Sequence, residues 1–400
     1  MNPIRFRALA MLSVTALLGG VLGGVCGPEP TRLNGTTTGD AALTADVRAA
    51  VADPDGYRGL AVARIEPAGT VRFAGLGETT AGTPVDRGTT FEIGSVAKTF
   101  TGALLADAVS RGEVRPETTL AEALPDVRFT DPELARTTLA QLASHRGGVP
   151  RLAGGLRAAF DGLAFELGGD NPYGRYDTPA LLAVAATTRV GDSTKVQYSN
   201  LGVALLGQAL ARRAGAPYHE LLRTRLFEPL GMDASVVAPV SAPRDPAGGQ
   251  RAGGAPVQPW TGLGYAPAGV GTWSTAVDMA ALLRAVAAGN APGADAAKPR
   301  WAAGEDRRIG YAWFTDRHGG QEVTWHNGAT GGSRSWVGFD RASGRGVVVL
   351  GNTDQPVDEV GLHLLGVRTE EPADGTPLWL TVVVLALLAV GAGGLLSTSW

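Results

Sequence analysis

The sequence has 400 residues, of which 35 are Lys or Arg and 38 are Asp or Glu, for a net charge of -3. A hydrophobic fraction of 44% with 18% charged residues excludes a disordered chain, and the near-neutral charge gives no basic surface for a nucleic-acid partner. The single cysteine, Cys26, excludes an intrachain disulfide and a cysteine-rich zinc site, and no H-E-x-x-H motif is present, so we expect no metal and no other cofactor.

Residues 1–26 have the layout of an export signal. Arg5 and Arg7 precede an apolar stretch over residues 8–25, which is typical of a signal peptide or of an uncleaved N-terminal anchor. Lipid attachment at Cys26 is less favoured, because Val25 is too large for a good lipoprotein box. We therefore predict that the chain is exported.

A globular domain is predicted over residues 41–367, after a Thr- and Gly-rich linker at 27–40. It begins with a short helix at 41–52. Two β-type runs follow at 57–65 and 70–75, separated by a Pro/Gly turn that predicts a hairpin.

The segment from Phe91 to Phe100 leads into an apolar helix that closes at Gly112. Within it, Ser95 and Lys98 are three residues apart, so on a helix the amine can reach the hydroxyl. A helix N-terminus also favours a developing oxyanion beside the serine. This spacing suits a nucleophile and its activating amine, although a Ser-x-x-Lys motif alone is a weak signal.

Residues about 120–305 predict a largely helical insertion, with apolar residues at helical spacing over 179–186, 201–214, 219–226 and 275–288. Where one of these helices begins, Tyr198 offers a phenol that could act as a general base if a nearby lysine lowered its pKa. Asn200 offers an amide that donates and accepts hydrogen bonds. Taken alone, a half-buried tyrosine and a helix-capping asparagine explain the pair equally well.

Strand-like runs return at 310–315, 322–326, 335–339 and 346–350. Together with the early hairpin they predict one antiparallel sheet built from both ends of the domain. A third polar element lies on one of these runs and comprises His326, Asn327, Gly328 and Ala329. In it, glycine would let a substrate backbone approach, and the amide of Ala329 is a plausible oxyanion donor beside that of Ser95.

After a linker at 368–377, residues 378–396 form an uncharged apolar run of about 28 Å as a helix, which matches the hydrocarbon core of a membrane. We predict a transmembrane helix here rather than a buried core helix. If Arg5 and Arg7 stay in the cytoplasm, the domain lies outside, so we expect a cell-membrane protein with an extracytoplasmic domain.

The three polar elements together resemble the serine β-lactamase and DD-peptidase superfamily, specifically its class C β-lactamase-related branch. Three further segments resemble that branch in the expected order, namely Leu139–Pro150 (LAQLASHRGGVP), Pro229–Met232 and Ala268–Asp278. The resemblance covers roughly residues 41–365. That branch also contains D-alanyl-D-alanine carboxypeptidases, D-aminopeptidases and esterases.

The resemblance implies an α/β two-part fold, with an antiparallel sheet flanked by helices, an all-helical insertion, and the site in the cleft between them. It implies that Ser95 is the acyl-accepting nucleophile, Lys98 its partner and Tyr198 the general base. Asn200 would contact the substrate amide, and His326, Asn327, Gly328 and Ala329 would complete the substrate-binding strand. His145 would order a loop.

Two residues depart from the pattern of the branch. His326 stands where class C β-lactamases carry a lysine, and Arg146-Gly147 replaces the usual Thr-Ser after His145. A histidine is charged only below about pH 6.5 unless its surroundings perturb it, which weakens a fixed site for a substrate carboxylate. Arg334 is one candidate for supplying that charge.

We therefore expect a membrane-tethered extracytoplasmic serine hydrolase that forms an acyl-enzyme on Ser95. A peptide or small-molecule acyl donor is the expected substrate, and the activity is D-alanyl-D-alanine carboxypeptidase-like or that of a related peptidase or esterase. The alternatives are a β-lactamase and a sensor that binds peptidoglycan or β-lactams without turnover.

Overall fold

Residues 30–153 and 171–367 are described by the computed structural model of the chain. Among these residues, no helix is both long enough and apolar enough to cross a membrane. The predicted export signal at 1–26 and the predicted transmembrane helix at 378–396 lie outside the described residues, so both stay predictions.

The main sheet has nine strands and every neighbouring pair is antiparallel. The first strands are β1 (Thr37–Gly39), β2 (Gly59–Ile65) and β3 (Val71–Gly77). Five short strands follow outside this sheet: β4 (Phe91–Glu92), β5 (Val236–Val237), β6 (Gly249–Gln250), β7 (Pro256–Val257) and β8 (Thr272–Ser274). The remaining strands are β9 (Trp301–Ala302), β10 (Arg307–Ile309), β11 (Phe314–His318), β12 (Gln321–Ala329), β13 (Arg334–Asp340) and β14 (Gly346–Gly351). The order across the sheet is β1-β3-β2-β14-β13-β12-β11-β10-β9, so strands from both ends of the domain meet between β2 and β14.

The helices of the first half are α1 (Ala41–Ala50), α2 (Lys98–Ser110), α3 (Leu120–Ala123), α4 (Pro132–Arg136), α5 (Leu139–Ala143) and α6 (Thr178–Ala186). The helices of the second half are α7 (Asn200–Ala214), α8 (Tyr218–Leu222), α9 (Glu228–Leu230), α10 (Ala276–Ala287) and α11 (Asp358–Leu364). A π-helical turn over Arg223–Phe227 joins α8 to α9.

The central strands are buried on both faces, which explains their continuous apolar sequence. On β2, Leu60 and Val62 belong to one apolar cluster, whereas Ala61 and Ala63 belong to the other, as the two-residue period of a strand requires. The first cluster includes α1 and α11, and the second includes α2, α7 and α10. The sheet is therefore the middle layer between two helical layers.

The predicted antiparallel sheet flanked by helices is confirmed, but the predicted all-helical insertion is wrong. Four short strands, β5 to β8, lie between residues 236 and 274. Of these, β8 pairs with β4 and with β5. Because β4 directly precedes Ser95, these strand pairs fasten the insertion to the segment that carries the serine.

The predicted linker at 27–40 is also wrong in part, because Thr37–Gly39 forms the edge strand β1 on β3. The hydroxyl of Thr38 donates to the carbonyl of Val85, and the amide of Asp40 donates to Phe73 O. Threonine is β-branched and suits a strand, so a Thr-rich segment can pair at a sheet edge even where it resembles a linker.

The predicted strand at 310–315 is displaced. Residues 310–313 form a turn between β10 and β11, in which the amide of Gly310 donates to Trp313 O. Ala312 has a φ of +59°, which breaks strand geometry. The apolar side chains of Tyr311 and Trp313 are buried in the core, so the sequence has strand-like composition without forming a strand.

Candidate active site

Ser95 and Lys98 lie where a short 3₁₀ turn over Gly94–Ala97 passes into α2. The Nζ of Lys98 is 2.7 Å from the Oγ of Ser95. The same Nζ donates to the carbonyl of Ala268, also at 2.7 Å. The predicted Ser95–Lys98 contact is thus present, and Ala268 fixes the direction from which the amine approaches.

Lys98 is fully buried, with 0% of its surface exposed. Burial lowers its pKa well below the usual value, and the positive charge of Arg151 lowers it further. Both effects favour the uncharged form of the amine. In that form its lone pair can accept the hydroxyl hydrogen of Ser95.

Tyr198 completes a three-residue cluster with Ser95 and Lys98. Its phenol hydrogen-bonds to Ser95, and the Nζ of Lys98 is 5.1 Å from the centroid of its ring. Burial raises the pKa of Tyr198 to about 12, and the Ser95 hydrogen bond opposes that rise only in part. The phenol therefore keeps its proton near neutral pH.

His145 holds the backbone beside Tyr198. Its Nδ1 accepts the amide hydrogen of Ser199 at 3.2 Å, and its carbonyl accepts that of Gln197 at 2.8 Å. The ring also packs against Tyr198, with a centroid separation of 4.5 Å. Burial lowers the pKa of His145 well below its usual value, so the ring is neutral. This geometry agrees with the expectation that His145 orders a loop.

Gly328 and Ala329 lie on β12 directly beside the turn that carries Ser95. A Cβ at position 328 would lie only 2.1 Å from the carbonyl oxygen of Ile93, so no other residue fits without moving β12. The close packing of β12 against the backbone of Ile93 therefore requires a glycine here. The sequence had suggested only that the glycine allows a substrate to approach. A Cβ at Gly94 would likewise meet the backbone N of Ala329 at 2.9 Å, which places that amide next to the serine turn.

His326 lies deeper than the sequence suggested, with 1% of its surface exposed. Its Nδ1 lies 2.6 Å from Asn327 O and donates to it in the neutral ring. Burial lowers the pKa of His326 to about 3. The imidazole is therefore neutral and lies 6.2 Å from the Tyr198 ring, centroid to centroid. Its predicted contact with substrate stays a prediction.

Ser95 opens into a cleft of about 490 Å³. The predicted site residues Tyr198, Asn200, Asn327, Gly328 and Ala329 line this cleft with it. Further lining residues that the sequence did not single out as site residues are Arg151, Tyr173, Trp260, Pro356 and Asp358, and Arg334 also lines the cleft.

Asn200 and Asn327 face the cleft in different ways. The Nδ2 of Asn200 donates to the hydroxyl of Tyr173 at 3.3 Å, while its Oδ1 is buried and has no hydrogen-bond partner within the described residues. Such an acceptor suits a donor group on a ligand. Asn327 instead donates from Nδ2 to Asp358 at 2.7 Å.

Two of these further lining residues, Arg151 and Asp358, could have been identified from their positions in the sequence. Arg151 directly follows the segment Leu139–Pro150, and Asp358 begins the helix that follows the last strand. Tyr173 and Trp260 carry no such signal. They come from distant loops and meet with a ring-centroid separation of 5.2 Å only when the insertion folds.

Comparison with known proteins gives three findings, the first from protein-family models. The Beta-lactamase family model matches residues 47–368. Among curated proteins, "Penicillin-binding protein 4" of Amycolatopsis lactamdurans is 33% identical over 168 residues, which cover 41% of this chain and 40% of that protein. A "Beta-lactamase" of Escherichia coli K12 is 29% identical over 152 residues, which cover 38% of this chain and 35% of that protein.

"D-alanyl-D-alanine-carboxypeptidase/endopeptidase AmpH" of Escherichia coli K12 is 29% identical over 170 residues, 42% of each chain. The matched segments thus span about two fifths of the length of these relatives.

Solved structures match over a larger part of the chain. A class C β-lactamase from Rhodobacter sphaeroides has a TM-score of 0.67 at 21% identity, and a β-lactamase/D-alanine carboxypeptidase from Pseudomonas syringae has a TM-score of 0.69 at 20% identity. Each match covers 82% of this chain and 100% of the other. At this identity the likeness concerns the fold.

Proposed function

The chain belongs to the Beta-lactamase family, within the serine β-lactamase/DD-peptidase superfamily, and from this premise we propose that it is a serine hydrolase acting through an acyl-enzyme on Ser95. The observation that carries the proposal is the contact of Ser95 with the buried Lys98 at 2.7 Å, with the phenol of Tyr198 on the same hydroxyl. Because burial lowers the pKa of Lys98, a nucleophile and its base are in hydrogen-bond contact before any substrate arrives.

In the acylation step, the hydroxyl proton of Ser95 passes to the Nζ of Lys98 while Oγ bonds to the acyl carbon. The carbonyl oxygen becomes an oxyanion, which the amides of Ser95 and Ala329 would stabilise. The proton then passes from Lys98 through the Tyr198 hydroxyl to the leaving group, whose bond to the acyl carbon breaks.

This route assigns the base differently from the family resemblance. Because the pKa of Tyr198 is raised to about 12 and that of Lys98 is lowered, the amine is the better proton acceptor. Tyr198 would act as a relay and an acid toward the leaving group. Hydrolysis of the acyl-enzyme reverses the sequence with water as the nucleophile.

We propose a D-alanyl-D-alanine carboxypeptidase-like activity, or that of a related peptidase or esterase, ahead of β-lactamase activity. His326 replaces the lysine of class C β-lactamases and is neutral, so this position offers no fixed cation for the carboxylate of a β-lactam or of a peptide C-terminus, which supports an ester or a related peptide as the acyl donor. The relatives named above include a carboxypeptidase and a penicillin-binding protein. We further propose that residues 378–396 tether the enzyme to the membrane with its domain outside.

Intact-mass time courses of the purified full chain test this proposal. The chain is mixed with a penicillin, a peptide ending in D-Ala-D-Ala, or a short p-nitrophenyl ester, with Ser95→Ala as the control. We expect a long-lived penicilloyl adduct on Ser95 together with release of D-Ala or p-nitrophenol.

Other outcomes would revise the proposal in defined ways. Rapid loss of the adduct with hydrolysed penicillin would indicate a β-lactamase. A permanent adduct with no turnover of peptide or ester would indicate a sensor. Absence of any Ser95-dependent adduct or product with all three compounds would contradict the acyl-enzyme mechanism.

A further inference from the structure

Arg151 places a guanidinium group in the cleft. Its Cζ is 5.3 Å from the centroid of the Tyr198 ring, and its side chain is exposed. Its backbone carbonyl accepts the amide hydrogens of Asn200 at 3.0 Å and Leu201 at 3.2 Å. The backbone of Arg151 is thereby fixed to the start of α7 while its side chain faces the substrate cleft.

The positive charge of the site is concentrated at this arginine. His145 and His326 have lowered pKa values and are uncharged near neutral pH, and burial also lowers the pKa of Lys98, which favours its uncharged form. In the parts of the chain that the structure describes, no carboxylate is ion-paired with Arg151. Its charge therefore acts on the cleft and on the groups around Tyr198.

The other end of the cleft carries both signs of charge. Arg334 donates from Nη1 to the carbonyls of Thr330 and Ser333 at 2.8 and 3.1 Å. Its charge also acts on the carboxylate of Asp358, which accepts a hydrogen bond from Asn327. Arg334 is already bonded to two carbonyls, and Asp358 places a carboxyl group at this end, so this end is less suited to an anion. The end at Arg151 is the positive one.

We propose that Arg151 is a specificity-determining residue that binds a carboxylate on the acyl group of the substrate. This inference rests on the proposed acyl-enzyme function and adds the class of acyl donor to it. A guanidinium group presents paired N–H donors that match a carboxylate and stays charged at every physiological pH. In this chain Arg151 is thus a fixed cation in the cleft, whereas the position where His326 replaces a lysine is neutral.

The neighbours of Arg151 indicate which part of the substrate it binds, the acyl chain or the leaving group. Its carbonyl accepts the amide hydrogen of Asn200, whose buried Oδ1 has no donor within the described residues, and the resemblance implies that this asparagine contacts the substrate amide. A carboxylate on the acyl chain can then reach Arg151 while the leaving group lies toward Asn327 and Asp358. The expected substrates are peptide or ester acyl donors with an acidic acyl part.

The test compares two p-nitrophenyl esters of equal chain length, the monoester of glutaric acid and the ester of pentanoic acid. The ratio of their kcat/KM values is measured for the full-length wild type, Arg151→Gln and Arg151→Lys. We expect the wild type to prefer the glutarate ester and Arg151→Gln to lower that ratio about tenfold. Arg151→Lys should fall between them, because lysine keeps the charge but not the paired donors.

Arg146→Gln is the matched control. Arg146 lies five positions earlier and stacks on Trp301 at 4.8 Å, outside the residues that line the cleft. It should leave the ratio unchanged. If Arg151→Gln also leaves the ratio unchanged while Ser95-dependent turnover continues, the inference is overturned.

A binding measurement separates this inference from the proposed function. The nitroanilides that correspond to the two esters are titrated by calorimetry into Ser95→Ala and into Ser95→Ala combined with Arg151→Gln. We expect the second protein to bind the acidic anilide at least fivefold more weakly and the neutral one equally well. If the double variant binds the acidic anilide more weakly but the wild type does not hydrolyse either ester, the acyl-enzyme mechanism is rejected and Arg151 is still the anion site. Equal binding of the acidic anilide by both proteins would reject Arg151.

Discussion

Burial favours the uncharged forms of the polar side chains around Ser95. Burial lowers the pKa of Lys98 and of His326, and raises that of Tyr198 to about 12. A proton can therefore move from Ser95 to Lys98 without any group first having to lose a charge. The same burial opposes stability, because a lysine that is charged in the unfolded chain must give up its proton on folding.

Replacing Lys98 with methionine should abolish acylation and change how stability depends on pH. Between the lowered pKa of the folded protein and 10.5, the unfolded wild type binds a proton that the folded protein lacks. Wild-type stability therefore rises with pH, by about 1.4 kcal/mol per unit. We expect the stability of Lys98→Met relative to wild type to fall as the pH rises from the lowered pKa towards 10.5, by up to about 1.4 kcal/mol per unit.

Urea unfolding of both proteins across that pH range measures the effect, and mass spectrometry confirms the absence of an acyl adduct. Thr99→Ser serves as a control that keeps the hydroxyl of a neighbouring buried side chain. A difference between Lys98→Met and wild type that stays constant with pH would mean that Lys98 is charged in the folded protein.

Arg151 should also influence the pH dependence of acylation. The reaction needs an uncharged Lys98, so its rate falls as the pH is lowered through the pKa of that amine. The charge of Arg151 lowers this pKa. In Arg151→Gln the pKa of Lys98 rises, and the acid limb of kcat/KM for the neutral pentanoate ester should move to higher pH. A limb that does not move, or that moves to lower pH, would contradict this coupling.

At the scale of elements, the site depends on a close approach between β12 and the turn before α2. Gly328 lies against the carbonyl of Ile93, and Ser335 on β13 donates from its hydroxyl to the same carbonyl at 2.7 Å. These contacts set the distance between the nucleophile and the strand that carries Ala329. A small separation of the two elements would move the amide of Ala329 away from the developing oxyanion.

Gly328→Ala should therefore lower stability and activity together. The added methyl group would meet Ile93 O at 2.1 Å, and relieving that overlap must move β12. We expect a loss of about 1–3 kcal/mol in unfolding free energy and about 100-fold in kcat/KM for the ester. Gly320→Ala is the matched control, because Gly320 lies next to the start of the same strand with open space around it. Wild-type behaviour of Gly328→Ala would show that β12 does not set the site geometry.

Glu92 on β4 joins two loops behind the cleft. Its Oε1 accepts the amide hydrogen of Trp260 at 2.9 Å, and its Oε2 accepts the hydroxyl of Thr330 at 3.3 Å. Burial raises the pKa of Glu92 to about 7, and these two hydrogen bonds offset only part of the rise. The carboxyl group thus links the insertion, through Trp260, to the residue that follows β12, Thr330. Because its pKa is raised, it takes up a proton on folding between pH 4.5 and about 7.

Glu92→Gln should become increasingly stable relative to wild type as the pH rises. Between pH 4.5 and about 7 the folded wild type holds a proton that the unfolded chain has lost, so its stability falls with increasing pH. The total loss is about 3 kcal/mol, from a shift of roughly 2.5 units. Glutamine has no such proton to lose and keeps an acceptor for Trp260. Urea unfolding at pH 5, 6, 7 and 8 measures the difference, and parallel curves for the two proteins would refute it.

At the scale of the whole molecule, the sequence predicted those parts of the site that are local along the chain. Ser95 and Lys98 are one helical turn apart, and Tyr198 and Asn200 stand at one helix start, so short-range spacing was enough. Tyr173 and Trp260 reach the cleft only through tertiary folding, for which no spacing rule exists. The burial of His326 likewise depends on packing against Tyr198 and Phe314 from distant elements.

The same reasoning explains the errors in the fold. Strand β1 was predicted as linker because its three residues show no alternation of apolar and polar side chains. It forms a strand because it pairs with β3, which the sequence pattern does not indicate. Residues 310–313 were predicted as strand from their apolar composition. The structure shows that this composition reflects burial of the side chains, while the backbone forms a turn. Apolar composition reports burial, whereas strand geometry depends on pairing partners elsewhere in the chain.

The proposed membrane location of the protein rests on residues 378–396, whose uncharged apolar sequence predicts a membrane span. To isolate that segment, two proteins are made with the same cleavable export signal in place of residues 1–26. One continues to Trp400 and the other stops after Asp374. We expect only the longer protein to stay in the membrane pellet after alkaline carbonate washing, because the bound segment would bury nineteen residues in hydrocarbon.

Protease added to intact spheroplasts tests the orientation of the full chain, which keeps residues 1–26. A domain outside the cytoplasmic membrane should be digested while a cytoplasmic marker stays intact. Arg5 and Arg7 predict this orientation only if they remain on the inner side, so the same chain without residues 1–26 serves as the cytoplasmic control. Release of the longer protein by carbonate would reject the tether, and protection of the domain of the full chain in spheroplasts would reject an active site that meets extracytoplasmic acyl donors.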